Sequence, residues 1–200
     1  MIKTYSVYFT FKCNWRCDYC IMDTHNQPEP KNILEKINII EDYSNVSISG
    51  GEPGLGNKEL VYKVFDILVQ KNCCIHLNTN GLFLKNFPDL IDKIQTIHYH
   101  CSENFTNPNF ERYSQYTNII YNIVVTDKNL DNLENFIAYN KDLKFLVFSA
   151  DKRFNENGKV NQYLSTKNIF KLYNLYKNNI LKESLPKLFN KCTCPNEHLF

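Results

Sequence analysis

The sequence predicts an α/β fold, a partial (β/α)6 barrel whose parallel sheet is curved and laterally open. Short runs rich in β-branched and aromatic residues recur at about residues 3–10, 45–49, 73–79, 95–101, 118–125 and 144–149. Between them lie segments with helical spacing at about 31–42, 58–71, 87–93, 107–115, 129–140 and 166–181, often opened by Asn, Asp, Ser or Thr. Strict alternation of strand and helix implies parallel pairing through right-handed crossovers. Six such units fall short of the eight that close a barrel, so the sheet is expected to stay open.

The 200 residues suffice for one well-buried domain, and no linker, charge block or repeat divides them. The expectation is a barrel over residues 1–181 and a C-terminal tail over 182–200 that carries Cys192-Thr-Cys194. A formal net charge of +2, with both signs interspersed, offers no basic stripe and leaves nucleic-acid binding unsupported. Residues Met1 to Thr10 alternate polar with apolar, and no apolar run approaches the roughly 20 residues of a membrane span. A cytoplasmic protein without a membrane partner is expected. The eight cysteines are clustered rather than spread as staples, which fits free thiols in a reducing compartment.

Each strand is followed by a loop with its own chemistry. The first leads into Phe11-Lys-Cys-Asn-Trp-Arg-Cys-Asp-Tyr-Cys20, the second into Gly50-Gly-Glu-Pro53, the third into Thr79-Asn-Gly81 and the fourth into Cys101-Ser-Glu103. In parallel β/α folds such loops gather at the carboxyl ends of the strands. Alternation along the strands sets Ile75, Leu77, Thr79, Ile97, Tyr99 and Cys101 toward the helices. The opposite face then carries Ser6, Tyr8, Ser47, Ser49, His76, Asn78, His98, His100 and Asn122. Burying such groups without partners costs roughly 1–3 kcal/mol each, so a polar, wet cavity for a polar substrate is expected. His76, Asn78, His98, His100 and Asn122 are its candidate substrate contacts.

Cys13, Cys17 and Cys20 form a C-x3-C-x2-C loop that can wrap three thiolates around one inorganic core. Thiolates are soft ligands suited to iron–sulfur clusters or zinc, and three of them leave one metal position open. With Tyr19 before the last cysteine and Gly50-Gly51-Glu52-Pro53 one β/α unit later, the chain resembles the radical S-adenosylmethionine (SAM) enzymes, which commonly have a six-unit partial barrel. The resemblance implies that Cys13, Cys17 and Cys20 hold a 4Fe-4S cluster whose open iron binds the amino and carboxylate groups of SAM. It places Tyr19 near the adenine and gives the SAM amino group to the turn Gly50 to Pro53, with the Glu52 carboxylate against the ammonium. Leu77-Asn-Thr-Asn-Gly81 resembles the family's third strand, which adds Asn80 to the cofactor residues. The family's Ser-x-Asp on the fourth strand, which meets the ribose, is replaced here by Tyr99-His-Cys-Ser-Glu-Asn104. Alternation favours Ser102 for that role and motif alignment favours Glu103.

The implied activity is reductive cleavage of SAM to a 5′-deoxyadenosyl radical, which abstracts hydrogen from a polar small-molecule or nucleotide-like substrate. A flavodoxin or ferredoxin is the implied electron donor. The alternatives are an activase of a glycyl-radical enzyme, a peptide or protein maturase, or a non-catalytic iron–sulfur redox sensor. A structural zinc site completed by His25 is the other reading of the cysteines. His98 and His100 can serve a substrate anion or the fold, and Lys152 and Arg153 can meet an anion or only solvent. A metal site of Cys73, Cys74, Cys192 and Cys194 competes with separate buried thiols, since adjacent strand residues point opposite ways.

Overall fold

A computed structural model describes residues 2–17, 20, 28–106, 110–113, 115–140, 145–149, 153–154, 160–161, 167–168, 171 and 174. The six expected strands are β1 (Thr4–Tyr8), β2 (Asn45–Ser49), β3 (Cys74–Thr79), β4 (Thr96–His100), β5 (Ile119–Val125) and β6 (Phe145–Ser149). Strand order follows the chain, and the sheet is not closed. The chain divides into two compact units, Met1–Tyr99 with Thr117–Ile119, and His100–Tyr116 with the described residues from Ile120 on.

In the first unit β1 to β4 pair in parallel, and the register aligns Val7 with Ile48, Ile48 with Leu77 and Leu77 with Ile97. This row is buried throughout. One position along, Ser6 aligns with Ser47, Ser47 with His76 and His76 with Thr96; Ser47, His76 and Thr96 are half-buried and Ser6 is exposed. Asn78 aligns with His98 and donates from Nδ2 to Ser47 Oγ at 3.3 Å. Period-two alternation therefore separates an apolar face from a polar one on these strands, as the residues predict.

Helix α1 (Ile33–Asn38) is shorter than the expected 31–42. Asn32 is left-handed before it, and a turn through Ile40 follows, which buries Ile37 and Ile40 without a further helical turn. Helix α2 (Lys58–Gln70) is capped by Asn57, whose Oδ1 accepts from the Leu60 N–H at 3.0 Å. It buries Val61, Val64, Phe65 and Leu68, one stripe at i, i+3, i+4 and i+7. Its end is a Schellman motif: Asn72 is left-handed, Cys73 N–H donates to Leu68 O and Asn72 N–H to Val69 O, both at 3.0 Å. The expected helix at 87–93 is a 3-10 helix over Pro88–Lys93, and a short helix α3 (Leu82–Asn86) precedes it.

In the second unit β5 and β6 pair in parallel. Helix α4 (Phe110–Tyr113) and helix α5 (Leu130–Tyr139) follow β4 and β5, and α5 buries Leu130, Leu133 and Ile137. A small antiparallel ladder that the periodicity did not signal joins β7 (Arg153–Phe154) to β8 (Val160–Asn161). Of the expected helix at 166–181 only residues 167, 168, 171 and 174 are described, all helical. Tyr19, His25, Lys152, Cys192 and Cys194 lie outside the described residues, as does the Arg153 side chain.

The two faces of β3 make opposite predictions. Leu77→Ala empties a fully buried site and should lower unfolding free energy by about 2–5 kcal/mol, whereas Asn78→Ala on the half-buried face should cost about 1 kcal/mol. Urea denaturation of both variants measures the difference; equal losses would show the faces to be misassigned.

Candidate active site

Three loops of the first unit meet at the carboxyl ends of β1, β2 and β3. Two backbone hydrogen bonds extend the β1–β2 pairing into loop: Gly51 N–H donates to Thr10 O at 3.0 Å and Glu52 N–H to Lys12 O at 2.8 Å. Thr10 is buried, and its Oγ1 accepts from the Lys12 N–H at 3.0 Å, which bends the chain toward Cys13. Both glycines are required by this closeness. Gly50 has φ +110, and a Cβ on Gly51 would sit 2.0 Å from Lys12 O. The space a side chain would need at these glycines is filled by Tyr8 and Thr10 on one side and by Phe11 and Lys12 on the other.

Glu52 is only 1 % exposed, and its carboxylate is held by four donors of this chain. Oε1 accepts from Gly54 N–H at 2.8 Å, Thr79 Oγ1 at 2.8 Å and Phe83 N–H at 3.1 Å, while Oε2 accepts from Asn80 N–H at 2.7 Å. Burial pushes the carboxyl pKa up, and these donors pull against it. The charge anticipated for an ammonium thus organises the turn, the end of β3 and the start of α3. Pro53 is buried beside it in the turn Pro53–Leu55. Thr79, absent from the predicted site, is central here: it also accepts from Gly81 N–H at 3.0 Å. Gly81 has φ +99 and lies against the buried Tyr99 ring.

Cys13, Cys17 and Cys20 are thiols rather than disulfide partners, the first two half-buried and Cys20 exposed. Cys20 N–H donates to Cys17 O at 2.9 Å, and Cys13 Sγ accepts from Trp15 N–H at 3.4 Å. Burial, and secondarily the Glu52 charge, push the Cys13 thiol up, while the Trp15 N–H favours its thiolate. Among the described residues no three His, Cys, Asp or Glu side chains are drawn together as a metal-binding group. The donor set nevertheless fits a thiolate-ligated cluster: three cysteine sulfurs on one loop, with a backbone N–H already aimed at one of them.

Of the predicted substrate residues, His76, Asn78 and His98 are half-buried on the polar face of the first unit. His100, also half-buried, and Asn122, which is buried, belong to the second unit. There Ser102 Oγ donates to Asn104 Oδ1 and accepts from Thr106 N–H, each at 3.0 Å. Glu103 accepts from Thr126 Oγ1 at 2.9 Å and faces Lys128 Nζ at 3.4 Å. Cys73 is half-buried and Cys74 exposed at the start of β3, and Cys73 Sγ lies 3.7 Å from Glu41 O. No helix among the described residues is long and apolar enough to cross a membrane.

Residues 7–148 match the model of the radical SAM superfamily, and the chain belongs to that superfamily of enzymes. It is 30% identical over 95 residues to a probable GTP 3′,8-cyclase of Methanocaldococcus jannaschii, a match that covers 44% of this chain and 32% of the relative. In fold it is similar to a histidine-tagged anSMEcpe with bound AdoMet, with TM-score 0.65 and 16% identity over 90% of this chain and 61% of that one. A structure of native anSMEcpe with AdoMet and the Cp18Cys peptide gives TM-score 0.62 and 17% identity over 88% and 62%. Streptococcus suis SuiB gives 0.58 and 19% over 92% and 48%. The chain thus spans about a third of the cyclase and less than two thirds of these solved chains. The parallel, unclosed α/β sheet is the radical SAM partial-barrel fold.

Gly51→Ala forces a Cβ into the Lys12 backbone and should cost about 1–3 kcal/mol or more in urea denaturation, with less iron retained after reconstitution; unchanged stability would refute the tight loop contact. Glu52→Gln sets an amide NH2 against either the Asn80 N–H or the three donors at Oε1. It should cost about 1–3 kcal/mol, and a variant as stable as wild type would show that the four donors do not depend on the charge.

Proposed function

We propose that the protein cleaves SAM reductively at a 4Fe-4S cluster held by Cys13, Cys17 and Cys20, and abstracts hydrogen from a polar, nucleotide-like small molecule. The observation that carries the reading is the pairing of the cysteine loop with Gly51 and Glu52 through Thr10 O and Lys12 O. That pairing brings the loop of the three cysteines next to the turn Gly50 to Pro53, which supports reading the two as one cofactor site. When bound, the cluster supplies the electron that cleaves the SAM carbon–sulfur bond. The chain's own part is to bind and orient. Cys13, Cys17 and Cys20 ligate, and the Gly50-Gly51 backbone presents the SAM amino-group site. Glu52 keeps that turn in place from behind, where its Oε2 accepts from one chain donor at 2.7 Å. Tyr19 is assigned to the adenine, and Ser102 or Glu103 to the ribose.

A nucleotide-like substrate is favoured by the sequence likeness to a GTP cyclase and by the half-buried histidines His76 and His98, which can donate to phosphate oxygens. A peptide substrate is the second reading, supported by the peptide-bound fold neighbour. A flavodoxin or ferredoxin in the cytoplasm is the electron donor that fits this chemistry.

Anaerobic reconstitution with iron and sulfide, followed by SAM and dithionite, should yield 5′-deoxyadenosine by mass spectrometry, and Cys17→Ala should abolish it. Full iron content and activity in that variant would overturn the ligand assignment. Deuterium transfer from labelled nucleoside triphosphates, against labelled peptides, separates the two substrate readings.

A further inference from the structure

Asn80 touches both halves of the candidate cofactor site. Its backbone N–H donates to Glu52 Oε2 at 2.7 Å. Its side chain donates from Nδ2 to Asn14 Oδ1 at 2.9 Å and reaches Cys13 Sγ at 4.0 Å. An amide NH2 carries two protons, enough for both contacts. The orientation of the amide is set by its other end, because Oδ1 accepts from Leu82 N–H at 3.3 Å and a flipped amide would turn NH2 against that donor. Loop, strand end and helix start therefore hold one side chain against the first of the three cysteines.

We propose that Asn80 is a positioning residue that raises the reduction potential of the cluster by donating a hydrogen bond to the Cys13 sulfur. The inference rests on the assignment of Cys13 as a cluster ligand. The physical reason is that a donor aimed at a ligating sulfur stabilises the extra negative charge of the reduced cluster, and hydrogen bonds to sulfur are among the factors that set such potentials. The Glu52 carboxylate acts in the opposite sense from nearby. Asn80 thus joins, through one residue, a buried negative charge that opposes reduction to a dipole that favours it.

The test is a potentiometric titration of the full-length reconstituted protein with dithionite, followed by the electron paramagnetic resonance of the reduced cluster, for wild type, Asn80→Ala and Asn80→Asp. Alanine removes the donor. Aspartate keeps the Oδ1 acceptor for Leu82 N–H and the shape of the side chain but replaces the donor with negative charge. The expected order of potentials is wild type, then alanine, then aspartate lowest, with the alanine variant about tenfold less reducible, or about 59 mV for one electron. Equal potentials in all three, a higher potential for aspartate, or a change confined to SAM affinity would overturn the proposal. So would loss of iron from both variants with wild type loaded, since Asn80 would then serve loop folding alone. A wild type that takes up no cluster, or a Cys13→Ala protein that takes up a full one, sinks the ligand assignment and the proposal with it.

Discussion

A buried carboxylate with four donors holds the first unit's functional end together. Glu52 draws on Gly54 in its own turn, Thr79 and Asn80 at the end of β3, and Phe83 in the first turn of α3. Desolvation of a charge is tolerated only when hydrogen bonds replace water, and here all of them come from the chain. The result is a rigid support for the adjoining cysteine loop, which needs no ligand to define the turn's shape. Catalytic constellations depend on such supports because their ligands must be held in place before reaction.

The glycines illustrate how a motif's chemical and steric meanings separate. In a sequence, two glycines before a carboxylate point to close approach by a ligand. In the structure the nearest atoms to their missing side chains are Thr10 O and Lys12 O. The demand for glycine is met before any cofactor arrives, because the strand pairing of β1 with β2 continues into the loops.

The strands were legible because their β-branched runs are long enough for period two to register, and the buried row Val7, Ile48, Leu77 and Ile97 follows from it. The end of α2 was equally legible, since Asn72 is a residue that accepts the left-handed conformation. Helix α3 was not. Asn80-Gly81 reads as a bare turn, and nothing local announces that Leu82 to Asn86 will coil once Phe83 N–H finds Glu52. Pro88 opens the next segment, where a 3-10 helix stands in place of the expected α-helix. Strands of two residues, such as β7 and β8, lie below what any periodicity can reveal. The meeting of the cysteine loop with the Gly-Gly-Glu-Pro turn at the strand ends was legible in the sequence, whereas the inward aim of Glu52 and the part of Thr79 depend on partners 27 to 31 residues away.

That separation has a kinetic side. During synthesis Glu52 leaves the ribosome well before Thr79, Asn80 and Phe83, so its carboxylate stays hydrated until the third β/α unit has been made. Closing a loop of such length carries an entropic cost that local contacts cannot offset until β3 pairs with β2. A nascent chain therefore carries the Glu52 turn without its supports from β3 and α3 through that interval.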